Sequence, residues 1–339
     1  MAGSRPTLKD VAEVAGVHPS LVSRVINGDD RIALREETRE RILAAVETVG
    51  YRKNMMAQAL KMGRTGLIAY VVPDLTTPSY PAILDGAKRR AAEAGYTLLV
   101  ATQPEALRSS VELRRLLDEG RVDGLLVASG VVGDVNTGSI VSGGGPVVVV
   151  NRLVEGAPYA VIPDDEAASA VAARHFAQLG HRHCAIITGP GDLDTTRRRS
   201  GGFAAGLKAA GLPKAMVVTA KGWNPEAGWD VTKQILADRR ITGVYCAAGL
   251  LHVGLLSALS EAGVGVPEEV SVITLHDSEI NRYTQPPTTA VSMPLEEVGV
   301  AAVEMLLARL ANKKTPATKI VRRPASKVIK RGSTAKLGG

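Results

Sequence analysis

Ser20, Ser23, Arg24 and Asn27 carry the most sharply placed chemistry in this 339-residue chain. Ser20, Arg24 and Asn27 recur at i, i+4 and i+7, the spacing of one helix face, with Ser23 beside them. Small hydroxyls at the start of a short helix, with an arginine one turn on, suit base edges in a major groove. Asn27 and backbone N–H groups suit phosphates. Other residues must hold this face outward. Thr7, three residues before Asp10, makes a capping-box-like start to a first helix. Val11, Ala12, Val14 and Ala15 give that helix an apolar face, and Gly16 supplies a left-handed stop. Pro19 suits the first position of a second helix, expected to run to Asn27 with Gly28 closing it. Leu21, Val22, Val25 and Ile26 then share its buried side. On spacing alone, the competing reading is a three-helix mini-domain with a solvated polar face.

Composition bounds the rest. The length allows two or three domains. Hydrophobic residues make up 45% but aromatics only 3%, so Ala, Val and Leu must fill the core. No apolar run reaches about 18 residues and the N-terminus lacks an apolar signal region, so a soluble cytoplasmic protein is expected, with no membrane partner. Cys184 and Cys246 lie in apolar strand-like runs and read as buried free thiols. The formal charge of +7 invites a nucleic-acid reading, yet residues 1–62 hold ten Lys/Arg against eight Asp/Glu. Residues 312–339 hold nine Lys/Arg and no acid, so removing their +9 from +7 leaves −2 for the rest. The basicity is a C-terminal property, either of a loose nucleic-acid-binding tail or of a solvated end.

From Leu67 onward, apolar runs alternate with amphipathic helical segments. Expected strands are Leu67–Val72, Tyr96–Ala101, Gly124–Ala128, Val147–Val150, Cys184–Thr188, Val244–Ala247 and Val270–Leu275. Helices between them close at Gly95, Gly120, Gly180, Gly211 and Gly263. The strands exceed one comfortable sheet, so two α/β lobes with a cleft between them are expected. The fold class is α/β: a three-helix helix–turn–helix head and hinge helix, then a two-lobed, doubly wound sensor. Expected boundaries are 1–52 for the head, 53–63 for the hinge and 64–339 for the sensor. Lobe 1 takes about 64–162 plus 293–325, and lobe 2 about 163–292 plus the C-terminal end.

Residues 7–60 resemble the DNA-binding head of the lactose/galactose repressor family, whose pattern is T-x-x-D-V-A-x-x-A-G-V-S-x-x-T-V-S-R-x-x-N. Thr7, Asp10, Val11, Ala12, Ala15, Gly16, Val17, Val22, Ser23, Arg24 and Asn27 match it. Thr38-Arg39 and Gly50-Tyr51 match the third helix and its end. His18 replaces the usual serine N-cap, and Pro19 and Ser20 occupy variable base-reading positions. The family's hinge, P-N-x-x-A-x-x-L, is met by Asn54, Ala57 and Leu60, with Lys53 in place of the proline. Ala57 and Leu60 at i, i+3 let two such helices pack, so that paired leucines wedge into a minor-groove step. A segment this short folds only when DNA and a partner subunit hold it. The DNA contacts implied are Thr7, His18, Pro19, Ser20, Ser23, Arg24, Asn27, Tyr51, Asn54, Ala57 and Leu60.

The resemblance continues through Leu67–Asp74, Pro78-Ser79-Tyr80, Glu93–Tyr96, Leu179–Arg182, Gly189-Pro190, Gly202-Phe203 and Val266–Glu268, and implies that the C-terminal end forms the last strands and finishes near the family's R-G-S-T, here Arg331-Gly332-Ser333-Thr334. It implies a periplasmic-binding-protein-like sensor with effector contacts at Asp74, Ser79, Tyr80, Asn151, Thr195, Arg197, Arg199, Trp223, Ala248, His276 and Asp277. Arg199 stands at the family's ligand-gripping arginine and Trp223 at a stacking aromatic. Two departures stand out. The family's Asn-Asp pair is here Ala248-Gly249, and its G-[FY]-D-D is Thr274-Leu275-His276-Asp277. Losing both implies a ligand other than a typical neutral sugar, such as an anionic metabolite, or a response that has decayed.

An α/β enzyme is the rival, and no constellation supports it. Thr188–Asp192 lacks G-K-[ST], Gly143–Gly145 is not G-x-G-x-x-G, and no G-x-S-x-G occurs. His181 and His183 lack ligand-spaced neighbours and read as surface residues. A free-standing transport binding protein would not carry the head. The expected protein is a cytoplasmic, homodimeric, effector-responsive repressor of a palindromic operator, with no cofactor. The absence of a heptad-rich extension after residue 311 favours a dimer over a tetramer.

Overall fold

The computed structural model describes residues 6–27, 34–52, 63–102, 110–128, 145–191 and 193–338. The expected hinge, with Asn54, Ala57 and Leu60, lies outside the described residues, as does Gly28. The chain divides into two compact units between Thr65 and Gly66.

The described residues of the first unit form three helices, α1 (Leu8–Ala15), α2 (Pro19–Ile26) and α3 (Glu36–Val49). Thr7 and Asp10 form a reciprocal capping box: Thr7 N–H donates to the Asp10 carboxylate at 2.6 Å, and Asp10 N–H to Thr7 Oγ1 at 3.5 Å. Gly16 (φ 61°) and Gly50 (φ 66°) end α1 and α3 in the left-handed conformation that a side chain would strain. Val11, Ala12, Ala15, Val22, Val25, Ile42 and Ala45 form the core, with Tyr51 packed against it. Val14 was expected on that face but is 57% exposed. At ~100° per residue it stands about 200° round the helix from Ala12.

The described residues of the second unit form two six-stranded sheets. In lobe 1, β1 (Leu67–Val72), β2 (Thr97–Thr102), β3 (Gly124–Val127), β4 (Val147–Val150), β5 (Ala160–Pro163) and β11 (Thr318–Val321) run parallel in the order β11-β5-β4-β3-β1-β2. In lobe 2 the order is β12-β10-β9-β8-β6-β7. Its strands are β6 (Cys184–Thr188), β7 (Met216–Thr219), β8 (Gly243–Cys246), β9 (Ser271–Leu275), β10 (Thr289–Val291) and an antiparallel β12 (Val328–Ile329). Helices α4 (Ser79–Glu93), α5 (Ser110–Asp118), α6 (Asp165–Gln178), α7 (Asp194–Ala209), α8 (Pro225–Leu236), α9 (Leu251–Glu261) and α10 (Leu295–Leu310) cover the sheets. With so few aromatics, helices meet backbone to backbone. A Cβ on Gly299 of α10 would overlap the Ile83 carbonyl of α4, and one on Gly86 would overlap that of Glu296. The expected strands are all present within a residue or so at their ends, and the sheets also contain β5, β7, β10, β11 and β12, which the apolar runs do not mark.

Two further expectations are corrected. The basic C-terminal end is neither loose nor merely solvated; it forms β11 and β12, the last strands that the family resemblance implies. Ser333 Oγ donates to the Val272 carbonyl at 2.6 Å and accepts from Thr289 N–H, and Leu337 N–H reaches the Leu179 carbonyl at 2.9 Å. That docking buries His181, expected at the surface, whose ring nitrogens meet Thr242 Oγ1 (2.9 Å) and the Ala335 carbonyl (3.1 Å). His183 is exposed as expected. Cys184 and Cys246 are buried and unbridged. No helix among the described residues is long and apolar enough to cross a membrane.

Candidate functional site

The head presents α2 through an unusual cap. His18 precedes the helix in extended backbone (φ −72°, ψ 140°), and its Nδ1 accepts from Ser20 N–H at 3.3 Å. A ring nitrogen thus does the work of a serine oxygen at this N-cap. Ser20 Oγ lies 2.7 Å from the same Nδ1. In the tautomer that accepts from the backbone, the Ser20 hydroxyl donates to the ring and keeps its oxygen as an acceptor. Ser20, Arg24 and Asn27 are exposed, Ser23 is half-buried, and Asn27 Nδ2 reaches Ser23 Oγ at 3.3 Å. Pro19 sits at the first helical position. Thr7 is tied up in its capping box, and Tyr51 packs half-buried on the head's core.

In the second unit, a cleft opens at the carboxyl ends of both sheets, where open α/β sheets bind ligands. Thr77, Pro78, Ser79 and Tyr80 enter it from the turn after β1 and the start of α4; Asn151 and Arg152 follow β4. Lobe 2 supplies Thr195 and Arg199 on α7, Trp223 after β7, Ala248 and Gly249 after β8, and Leu275 and His276 at the end of β9. Met293 and Leu295 complete the lining. A Cβ on Gly189 would overlap the Trp223 ring, so only glycine lets the indole lie there. Asn151 (φ 71°) and His276 (φ 74°) are both held left-handed, and such non-glycine strain concentrates at functional sites.

Behind the wall sits a buried charge network. Arg199 Nε donates to Asp165 Oδ1 at 2.7 Å and Nη1 to the Ala247 carbonyl at 2.8 Å. Arg198 bridges the other oxygen of Asp165 and Asp194 Oδ2, the latter at 2.9 Å. Asp194 also accepts from Leu153 N–H at 2.9 Å, and Arg198 Nη2 reaches the Asn151 carbonyl at 3.4 Å. The loop bearing Asn151 and Arg152 is therefore pinned to α7 on both sides. Burial pushes the His276 imidazole down to about 4, against the opposing pull of Asp277 and the Pro78 carbonyl. Burial raises the Tyr80 phenol, with Arg152 the main opposing charge.

Comparison with known proteins now places the chain. Residues 7–54 match the bacterial regulatory protein lacI family, and residues 173–334 a periplasmic binding protein-like domain. An uncharacterized HTH-type transcriptional regulator in the aml 5′ region of Streptomyces limosus is 34% identical over 97% of this chain and 95% of its own length. The chain belongs to the lacI family of bacterial regulatory proteins. The transcriptional repressor PurR of Photobacterium profundum is 31% identical over 91% of this chain and 92% of its own. A solved complex of the regulator CelR with cellobiose is 28% identical, with a TM-score of 0.71, over 97% of this chain and all of that one. The protein is a helix–turn–helix transcriptional regulator.

Within this lacI-family sensor, eight of the eleven expected effector residues line one cleft: Ser79, Tyr80, Asn151, Thr195, Arg199, Trp223, Ala248 and His276. Three do not. Asp74 turns its carboxylate onto Thr76 and Thr77, accepting from both backbone N–H groups at 2.8 and 2.7 Å. Arg197 is exposed on α7, one helical step from the half-buried Arg198. Asp277 pairs with Arg331 at 2.7 Å. Arg199 does line the cleft, but Asp165 already holds it. Arg152 escaped the sequence reading, although a polar pair directly after an all-valine parallel strand was a usable signal. Asp165 left no such signal, because its role depends on arginines 33 and 34 residues away.

Proposed function

We propose that the protein represses transcription by binding a near-palindromic operator as a homodimer, under control of a small molecule taken into the interlobe cleft. One observation carries the reading. A single chain joins a capped helix, whose outer face bears Ser20, Arg24 and Asn27, to a two-lobed domain whose cleft contains buried polar atoms without partners. The repressor named among its relatives and the cellobiose-bound regulator support the two halves of that reading.

In this reading Ser20, Ser23 and Arg24 meet base edges, while Thr7, His18, Pro19, Asn27 and Tyr51 set the helices against the phosphates. Asn54, Ala57 and Leu60 form the hinge, with paired leucines opening a central minor-groove step. Ligand in the cleft favours one arrangement of the lobes, and the hinge passes that preference to the heads. Coupling of this kind typically amounts to about 1–3 kcal/mol. The protein acts in the cytoplasm, where the chromosome is, and binds its effector without turning it over.

Selection of sheared genomic DNA from the source organism by the purified full chain tests the function. A few palindromic sites, protected as dimer-sized footprints and lost with Arg24→Ala, are expected. Folded, dimeric protein that enriches no site refutes operator binding, and chemical conversion of a cleft ligand refutes the non-enzymatic reading.

A further inference from the structure

Arg199, the arginine expected to grip the ligand, is electrostatically occupied. Two guanidiniums, Arg198 and Arg199, face two carboxylates, Asp165 and Asp194, and the four charges cancel. Asp165 is fully buried, so solvent does not loosen this arrangement. Arg152 differs. It lines the same cleft, lies within hydrogen-bond reach of the Tyr80 hydroxyl, and leaves its Nε buried and unpartnered.

Two more orphaned atoms line the same cleft. Asn151 is 6% exposed, and its Oδ1 has no donor; His276 Nδ1 is likewise unmet. An imidazole Nδ1 can accept from or donate to a hydroxyl, according to its tautomer. Buried polar groups are seldom left unsatisfied, so this set describes what is missing: a donor for Asn151, a hydroxyl for His276, and acceptor oxygens for Arg152. No Asp or Glu stands among the described lining residues. A neutral sugar therefore finds no carboxylate to grip its hydroxyls, while an acid meets no repulsion. Trp223 lines the cleft beside these groups, and an indole can stack on the apolar face of a ligand ring.

We infer that the cleft takes a ring-bearing hydroxy acid, its acid group on Arg152, its hydroxyls on Asn151 and His276, and its ring on Trp223. This rests on the effector-cleft reading above. Arg152, which that reading did not need, becomes the determinant of ligand charge.

The test uses the full chain carrying Trp229→Phe, so that Trp223 is its one tryptophan, and follows its fluorescence. The probes are matched sets of cyclic hydroxy acids and their neutral amides: glucuronate with glucuronamide, galacturonate with galacturonamide, and quinate with quinamide. An acid is expected to bind at least about tenfold more tightly than its amide. Arg152→Gln should weaken the acid by about 10- to 100-fold and leave the amide unchanged. Arg152→Lys, which keeps the charge and the fold's demands on size, should retain the acid preference at reduced affinity. Amides that bind as well as acids, or acid binding indifferent to Arg152→Gln, overturn the inference and leave the cleft reading standing. Probes of neither kind perturbing Trp223 overturn both.

Discussion

Replacing Asp165 with asparagine removes the one carboxylate that Arg198 and Arg199 share. The substitution preserves shape, and an amide oxygen can still accept from Arg199 Nε. Its NH2 group, however, points a donor at the Arg198 guanidinium, and one negative charge is lost beside two buried positive ones. Arg198 and Arg199 have side chains only 12% and 10% exposed, and Asp165 has none exposed. Breaking a buried pair from one side costs about 3–5 kcal/mol. Asp194 remains to hold Arg198, so the lower figure, about 3 kcal/mol, is expected. For a unit of this size that corresponds to a fall in Tm of roughly 6–12 °C. Urea and thermal unfolding followed by far-UV circular dichroism measure it. The double variant Asp165→Asn/Arg199→Gln should recover part of the loss, because it removes the charge left without a partner. The same single variant frees Arg199 toward the cleft and should strengthen binding of anions. A Tm within about 2 °C of the parent, or strictly additive losses in the double variant, refutes the network described above.

Three other outcomes are expected. His18→Ala removes the side-chain cap of α2 and should destabilise the head by about 1 kcal/mol, with His18→Ser restoring it; unchanged melting of the head in the alanine variant contradicts the cap. Gly189→Ala places a methyl group in the Trp223 ring and should cost about 1–3 kcal/mol while shifting tryptophan emission toward longer wavelengths. Unaltered emission and stability would show that the ring is not seated there. Finally, burial pushes His252, fully enclosed on α9, from 6.5 down to about 4. The unfolded chain takes up that proton first, so stability is level above about pH 6.5 and declines as pH falls toward 4. The imidazole accounts for about 2 kcal/mol by pH 5. The difference in urea midpoint between pH 7.5 and pH 5 should shrink in His252→Leu, and an identical difference in both proteins removes His252 as its source.

Much of the architecture was written locally. The capping box needs only Thr7 and Asp10, the turns need Gly16 and Gly50, and the α2 face follows from helical spacing within eight residues. Strands such as Val147–Val150 announce themselves because parallel strands buried on both faces must be apolar throughout. Weaker strands escaped for the complementary reason. β7 is largely exposed at a sheet edge, and β10 and β12 are three and two residues long, too short for a pattern. The direction of Val14, the burial of His181 and the docking of the basic C-terminal end depend on what packs against them. The cleft divides in the same way. The family resemblance placed Arg199, Trp223 and His276 near a ligand, but only the fold brought Asp165 onto Arg199 and, among the described residues, left Arg152 without an acid. Secondary structure is set by neighbours a few residues apart, so sequence determines it directly. Which charge is cancelled and which is available depends on groups tens of residues apart in sequence, and only tertiary folding brings them within a few ångströms.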